Sequence, residues 1–511
     1  MFQLCFALLI AAVIPFTYAQ NESTESAVAF LFPDYCCTIL SINPVINQRV
    51  SFPGQSAYND RIAANFDVKS RLTPNCIVSP KSSNEVAIIV KSLTVASILK
   101  PCKFAVRSGG HTPYIGASNI DGGVTIDFQY LNATTYDAET TIASIGPGAR
   151  WGSVYTALEP KGVMVTGGRS ASVGVGGLII GGGISHYSSR YGLACDNVVN
   201  FEVVLADGRI VDANKNTNSD LYTALKGGNN NFGIITRFDM QTFTNEGMWG
   251  GLVIYPASTI SAHFKALVNF VNNISKDTNA AAIVIQIYST ASGNSLVMNS
   301  YDYTKPTARP TAYDEFLAVQ GNISDSTSLK NMSAVAGELE GTTTFRVYFG
   351  TLSFANDIRV LEKASELYKN VLDKLKAEAT GTWRVYVLYQ PLPPQYTKDS
   401  ASKGGNVLGL ERFTDPFILY QPYISWEGSE QDTLFQSQGA YLVNGIKEFA
   451  ASIGATRGYL YLDYADITQD PLASYGRENV KKMKAVAAKY DSFGVFQNLV
   501  PGGFKLSKVK I

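Results

Sequence analysis

The sequence predicts an α+β fold of two domains, on three observations. Up to residue 243, short apolar runs alternate with glycine clusters and with a clear helical stripe. From 244 to 446 longer alternating strands take over, at 251–255, 282–288, 296–303, 345–352 and 383–389, with helices expected to cover them. The third observation is bulk: 511 residues, 46% hydrophobic and 16% charged, supply ample core and length for two to three domains.

Taken in order, residues 1–19 carry an apolar run, 4–16, that ends in small residues at Thr17 and Ala19. It is too short to span a bilayer and reads as a cleaved secretion signal, so the chain is expected in the secretory pathway, in vesicles or outside the cell. Sequons at Asn21, Asn132, Asn273, Asn322 and Asn331 fit that route as glycosylation sites. Once Cys5 leaves with the signal, Cys36, Cys37, Cys76, Cys102 and Cys195 remain. Neighbouring Cys36 and Cys37 rarely bond each other, so they are expected to bond outward, to Cys76 and Cys102. Cys195 is left as a buried small hydrophobe.

Val86, Ile89, Val90, Leu93 and Ile98 form a helical stripe over 83–99, with Ser82 or Ser83 as N-cap. Strand-like runs follow at 103–106, 123–127, 142–145 and 163–166, and 201–205 pairs with 209–211 across an Asp207-Gly208 turn. Leu361, Ala364, Leu367, Val371 and Leu375 predict a helix over 357–379, capped by Asn356 and ended before Gly381. Residues 458–466 alternate as a strand, which places Tyr459, Tyr461 and Asp463 on one face.

Several functions are disfavoured. With 42 basic and 42 acidic residues there is no charge excess to bind nucleic acid, and Lys481-Lys482-Met483-Lys484 reads as a solvated helix face. The 3 histidines, His111, His186 and His263, lie far apart without Cys-x-x-Cys, so no metal site is expected. Residues 181–187 supply no nucleophile elbow, and neither a Walker loop nor a Rossmann fingerprint is present. What remains is glycine chemistry. A strand running into Ser108-Gly109-Gly110-His111 can bring bare backbone N–H groups against an anion, and a second glycine segment spans 167–183.

Arg107-Ser108-Gly109-Gly110-His111, Gly122-Gly123-Val124-Thr125-Ile126-Asp127, Ser172-Val173-Gly174-Val175-Gly176-Gly177, Gly181-Gly182-Gly183, Tyr191-Gly192-Leu193 and Asp196-Asn197-Val198 follow in matching order and spacing. Together they resemble the FAD-binding domain of the vanillyl-alcohol-oxidase (PCMH) type, and within it the berberine-bridge-enzyme-like oxidases. The resemblance runs from Arg71 to Phe243 and returns at Tyr461-Leu462-Asp463-Tyr464 and Tyr490-Asp491. It implies a PCMH-type FAD-binding domain, 30–243 with core 71–243, completed by 447–511. An antiparallel-sheet substrate domain, 244–446, lies between.

The resemblance also implies roles. His111 would carry FAD through the flavin 8α-methyl, while Arg107, Ser108, Gly109, Gly110, Thr112, Ser172, Gly174, Gly176, Gly177, Gly182, Gly183, Asn197 and Val198 contact the cofactor. Asn231, Gly233 and Ile235 would meet its far side. Relatives that attach FAD twice use a cysteine where Ser170 stands, so a single attachment is implied. Val173 matches the position near the flavin edge where a small residue admits O2. Tyr461 and Tyr464 are the base candidates, and Asp463 replaces the family's Asn; a carboxylate beside reduced flavin must be protonated or point away. Residues 390–394 and 421–426 resemble pocket linings of the second domain.

The expected function is a secreted FAD-dependent oxidase. It would move hydride from a small organic substrate, a secondary-metabolite intermediate, to flavin N5, and pass the electrons to O2 to give H2O2. An oligosaccharide oxidase, an FAD dehydrogenase and a low-turnover flavin-binding protein are the alternatives. Substrate identity and oligomeric state stay open.

Overall fold

A computed structural model describes residues 34–341 and 344–510; the expected signal segment and Asn21 lie outside the described residues. The first layer is a four-stranded sheet in the order Val50–Ser51, Cys76–Val78, Val124–Asp127, Phe104–Arg107, with the last three strands parallel. Helix Ser83–Ala96 covers it with Val86, Ile89, Val90 and Leu93, and Ser82 accepts the Glu85 N–H at 3.2 Å as N-cap. Cys36 bonds Cys102 and Cys37 bonds Cys76, so the short helix Tyr35–Ser41 is stapled to this layer at two points. Cys195 is free and buried.

The second layer is a five-stranded antiparallel sheet, Thr134–Asp137, Ile142–Ile145, Ile234–Gln241, Val198–Val204, Ile210–Asn214. The Asp207-Gly208 turn joins its last pair, with Gly208 at φ 84°. Its core merges with residues of the C-terminal segment, among them Tyr459, Tyr461 and Leu462.

The second domain is an antiparallel sheet of nine strands, with Met248–Pro256, Asn294–Tyr303, Ala280–Ser289, Trp383–Leu392 and Phe417–Trp426 side by side in that order. Helices Ile260–Asn273, Ile358–Glu378 and Asp432–Ser452 bury its one face. The other face looks toward the first domain, with Ile283, Ile285, Met298 and Leu388 lining a cleft shared with it.

Three expectations change. The run 345–352 splits into Arg346–Phe349 and Leu352–Ala355, which keep one register along Phe417–Trp426; the ladder breaks between them opposite Pro422, which has no N–H to give, and the Thr351 N–H goes to Gln469 instead. Asp357, not Asn356, caps the long helix: it accepts the Arg359 N–H at 2.9 Å, while the Asn356 amide is drawn off to Val268 O and Asn272. The second domain extends past 446, since Asp432–Ser452 and Ala455 pack into its core. A segment that it sends back, with Tyr396, Val407, Leu408 and Leu410, is buried in the first domain. Among the described residues no helix is long and apolar enough to cross a membrane, and no cluster could hold a metal ion. Asn132, Asn273, Asn322 and Asn331 are all exposed.

Candidate active site

His111 sits where strand Phe104–Arg107 ends. Arg107 itself turns inward: its guanidinium pairs with Asp127 on the neighbouring strand, and Arg61 binds the same carboxylate at 2.8 Å. It is a buried strut and does not face the cleft. Gly110 takes φ 66°, and its carbonyl accepts the Phe66 N–H at 2.9 Å, which lays the Phe66 ring on His111 at 4.0 Å and 14°. Burial, seconded by the Arg150 charge, pushes the His111 imidazole down to about 4, so it is neutral at physiological pH.

The two glycine loops touch. A Cβ on Gly109 would lie 2.5 Å from Gly174 Cα, so both positions must be bare backbone. Ser108 Oγ accepts the Gly176 N–H at 3.1 Å and donates to Pro147 O at 2.5 Å. Arg150 donates to Gly109 O at 3.0 Å and to Ser172 O, bridging the loops. Gly177 points into open space, with nothing within 4 Å of where its Cβ would be.

Between these loops and the second-domain sheet lies a cleft of about 560 Å³. It gathers Ser108, Gly109, Gly110, His111 and Thr112 with Val173, Gly174, Gly176 and Gly177. Gly233 and Ile235 also line it, as do Tyr461, Asp463 and Tyr464. The remaining expected contacts lie elsewhere. Ser172 is tied through its N–H to Glu340 at 2.7 Å; Gly182 and Gly183 pack on Leu408 and Ala194. Asn197 donates to Tyr191 O and Leu193 O, Val198 is buried at the start of strand Val198–Val204, and Asn231 donates to Gly228 O and Phe504 O.

Residues 458–466 are not a strand. Ser353 takes up the Tyr459 N–H and carbonyl at 3.1 and 2.7 Å, and a 3₁₀ turn, Leu462–Tyr464, follows. The turn replaces alternation by convergence: Tyr461, Asp463 and Tyr464 all reach the cleft. Asp463 Oδ1 lies where a Gly181 Cβ would sit at 2.0 Å, and Oδ2 is buried with no hydrogen-bond partner among the described residues. Burial raises Asp463 to about 7, with Tyr461 and the Gly183 N–H pulling the other way.

The two phenols differ. Tyr461 OH accepts the Ile184 N–H at 3.0 Å, and burial beside Asp463 lifts its pKa well above the ordinary value. Tyr464 OH accepts from Arg169 Nη2 at 2.6 Å and donates to Gln390 Oε1 at 3.4 Å. Arg169, Arg150, Phe66 and Glu340 had no role in the sequence reading. Arg169 stands inside the 167–183 glycine segment, whose glycines and not its charge drew the reading, while Arg150, Phe66 and Glu340 come from other segments that no period or motif marks.

Residues 74–214 match a family described as FAD binding domain. The FAD-dependent monooxygenase sdcF of Emericella nidulans is 40% identical over 93% of this chain and 99% of its own length, and drtC of Aspergillus calidoustus 38% over 99% and 96%. The chain belongs to the berberine-bridge-enzyme-like family of FAD-dependent oxidoreductases. Glucooligosaccharide oxidase from Acremonium strictum, with its 6-S-cysteinyl, 8α-N1-histidyl FAD, shares the fold at TM-score 0.70 and 20% identity over 92% of this chain and 99% of that one.

The residues of this family member fit FAD. The cleft volume, about 560 Å³, is in the range of ligand sites, and touching glycine loops give a bare backbone floor. A neutral, half-buried imidazole stands at the edge of that floor, and an unpartnered carboxyl oxygen, Asp463 Oδ2, is left for a hydrogen bond.

Proposed function

We propose that this protein is an FAD-dependent oxidase acting on a small aromatic secondary metabolite, with FAD attached once, through His111, and O2 as acceptor. The observation that carries the reading is the 2.6 Å contact of Arg169 with Tyr464 in the lining of the cleft. FAD, when bound, supplies the two-electron acceptor. Arg169 steadies the phenolate form of Tyr464, which takes the proton of the substrate's hydroxyl and becomes the neutral phenol. Tyr461, held by Ile184 and Asp463, orients the loop instead. Asp463 keeps its proton below pH 7 and so adds no negative charge beside the cofactor. Val173 keeps a small side chain at the cleft, consistent with oxygen access.

The wall from the second domain favours a flat apolar substrate over a sugar. Its pairing sets Met298, Ile285, Leu388 and Gln421 in one row and Tyr386 beside Tyr423 in the next, with Phe349 paired to Tyr423. Sugar hydroxyls against Met, Ile and Leu would lose water without gaining partners. Two disulfides and four exposed sequons support a secretory location.

The test starts with the visible spectrum before and after acid precipitation. Colour that stays with the pellet and is lost in His111→Ala supports the attachment; colour in the supernatant refutes it. Admitting air to a photoreduced sample then separates an oxidase, which recovers its colour in seconds, from a dehydrogenase, which stays bleached. Because relatives bear the name monooxygenase, ¹⁸O₂ turnover is the deciding assay: label in H2O2 supports the oxidase, label in product refutes it.

A further inference from the structure

Arg150 occupies an unusual place. It is the N-cap of helix Trp151–Leu158, a position that favours Ser, Thr, Asp or Asn, and its side chain makes no capping bond. A cation there also opposes the helix dipole. Residues that break a local rule in this way usually serve something else. Here the guanidinium reaches across to the two glycine loops, to Gly109 O two residues before His111 and to Ser172 O. Backbone bonds fasten its own segment to the second loop, Trp151 N–H to Val173 O at 3.0 Å and Val175 N–H to Ala149 O at 2.9 Å.

We propose that Arg150 is a positioning residue for covalent attachment of FAD, a cationic strut that holds the His111 loop against the Ser172 loop and presents the imidazole to the flavin. The inference rests on the His111 attachment proposed above. In the attachment a His111 ring nitrogen gives up its proton and bonds the 8α carbon, which loses one hydrogen as a proton. The electron pair of that C–H bond, with two protons, reduces the flavin, and dioxygen removes both electrons as hydrogen peroxide. The step needs an unprotonated imidazole. Arg150 is the charged group acting on His111, alongside burial and His111's own backbone; Arg61, Asp127 and Glu340 act on Arg150 in turn. A fixed cation beside the ring disfavours a second positive charge, while the Phe66 stack holds the ring plane.

The experiment follows FAD attachment to the full-length protein, expressed under riboflavin limitation and then supplied with FAD, as flavin fluorescence retained on a denaturing gel. Wild type, Arg150→Lys, Arg150→Met and His111→Ala are compared from pH 4 to 8, with circular dichroism as the folding check. Arg150→Met is expected to attach FAD about ten- to a hundredfold more slowly at pH 7.5, through lost alignment. Its pH inflection should sit about half a unit or more above that of wild type, burial holding the rest. Arg150→Lys should restore the inflection but not the rate, since one ammonium cannot span two carbonyls. Arg150→Met attaching at the wild-type rate at both pH 5 and pH 7.5 overturns the proposal. If Arg150→Met fails to fold, Arg150→Lys decides: wild-type rate with wild-type inflection overturns it. Wild type that retains no flavin overturns the attachment reading itself, a distinguishable result.

Discussion

Two glycines of the same cradle should respond oppositely to a single methyl. In Gly109→Ala the new Cβ would stand 2.5 Å from Gly174 Cα, where ordinary contact begins at 3.4 Å, so the loops must part by about 0.9 Å. Backbone against backbone cannot yield by rotation, and overpacking of this kind costs about 1–3 kcal/mol, or roughly 2–6 °C in Tm. Gly177 lies in helix Val175–Ile180 with open space before it and no positive φ, so Gly177→Ala should leave the apoprotein equal or more stable, by up to about 1 kcal/mol. If the flavin lies on that floor, the methyl instead obstructs it and weakens binding about five- to a hundredfold. Both are measured by thermal melts over an FAD titration, in a His111→Ala background that keeps binding reversible. An unchanged apo melt for Gly109→Ala refutes the close approach of the loops. FAD affinity within about twofold of the parent for Gly177→Ala refutes the placement of the cofactor.

Three further outcomes are expected. Tyr464→Phe should slow flavin reduction by substrate about a hundredfold or more and Tyr461→Phe much less; equal losses in stopped-flow would count against Tyr464 as the base. Asp463, raised by burial from its ordinary 3.8 to about 7, holds a proton in the folded state that the unfolded chain releases. The stability this gives is full below pH 3.8 and is lost as pH rises to 7, so the melting advantage of Asp463→Asn should grow over that window and level off; a difference flat with pH sinks the assignment. Non-reducing peptide maps should return Cys36–Cys102 and Cys37–Cys76; these close stretches with sequence separations of 66 and 39, so Cys37→Ala should cost about 4 kcal/mol, and an unshifted melt would contradict it.

Much of the frame is written locally. Helix Ser83–Ala96 is legible because an apolar stripe and a Ser cap act within a few residues, and the Asp207-Gly208 hairpin because Gly208 meets its positive φ at no steric cost. The outward pairing of Cys36 and Cys37 follows from their adjacency, although which bonds Cys102 is a matter of packing. Where local signals compete, the sequence misleads. Asn356 and Asp357 are both good caps, and only the presence of Val268 and Asn272 decides between them. Alternation over 458–466 looks like a strand, yet Ser353 rather than a neighbouring strand takes the Tyr459 backbone bonds.

By itself the sequence determined the α+β class, the two glycine loops, the histidine between them and, through resemblance, the family. Those features depend on neighbours in the chain: φ preferences, spacing and side-chain periodicity. Only the tertiary structure decided which groups meet. Arg169 and Tyr464 are 295 positions apart, and Arg150 reaches Gly109 and Ser172 from a helix end that local preference would have given to a capping residue. Such contacts are set by how sheets and loops pack, and a one-dimensional pattern carries no record of distance between segments that pack together.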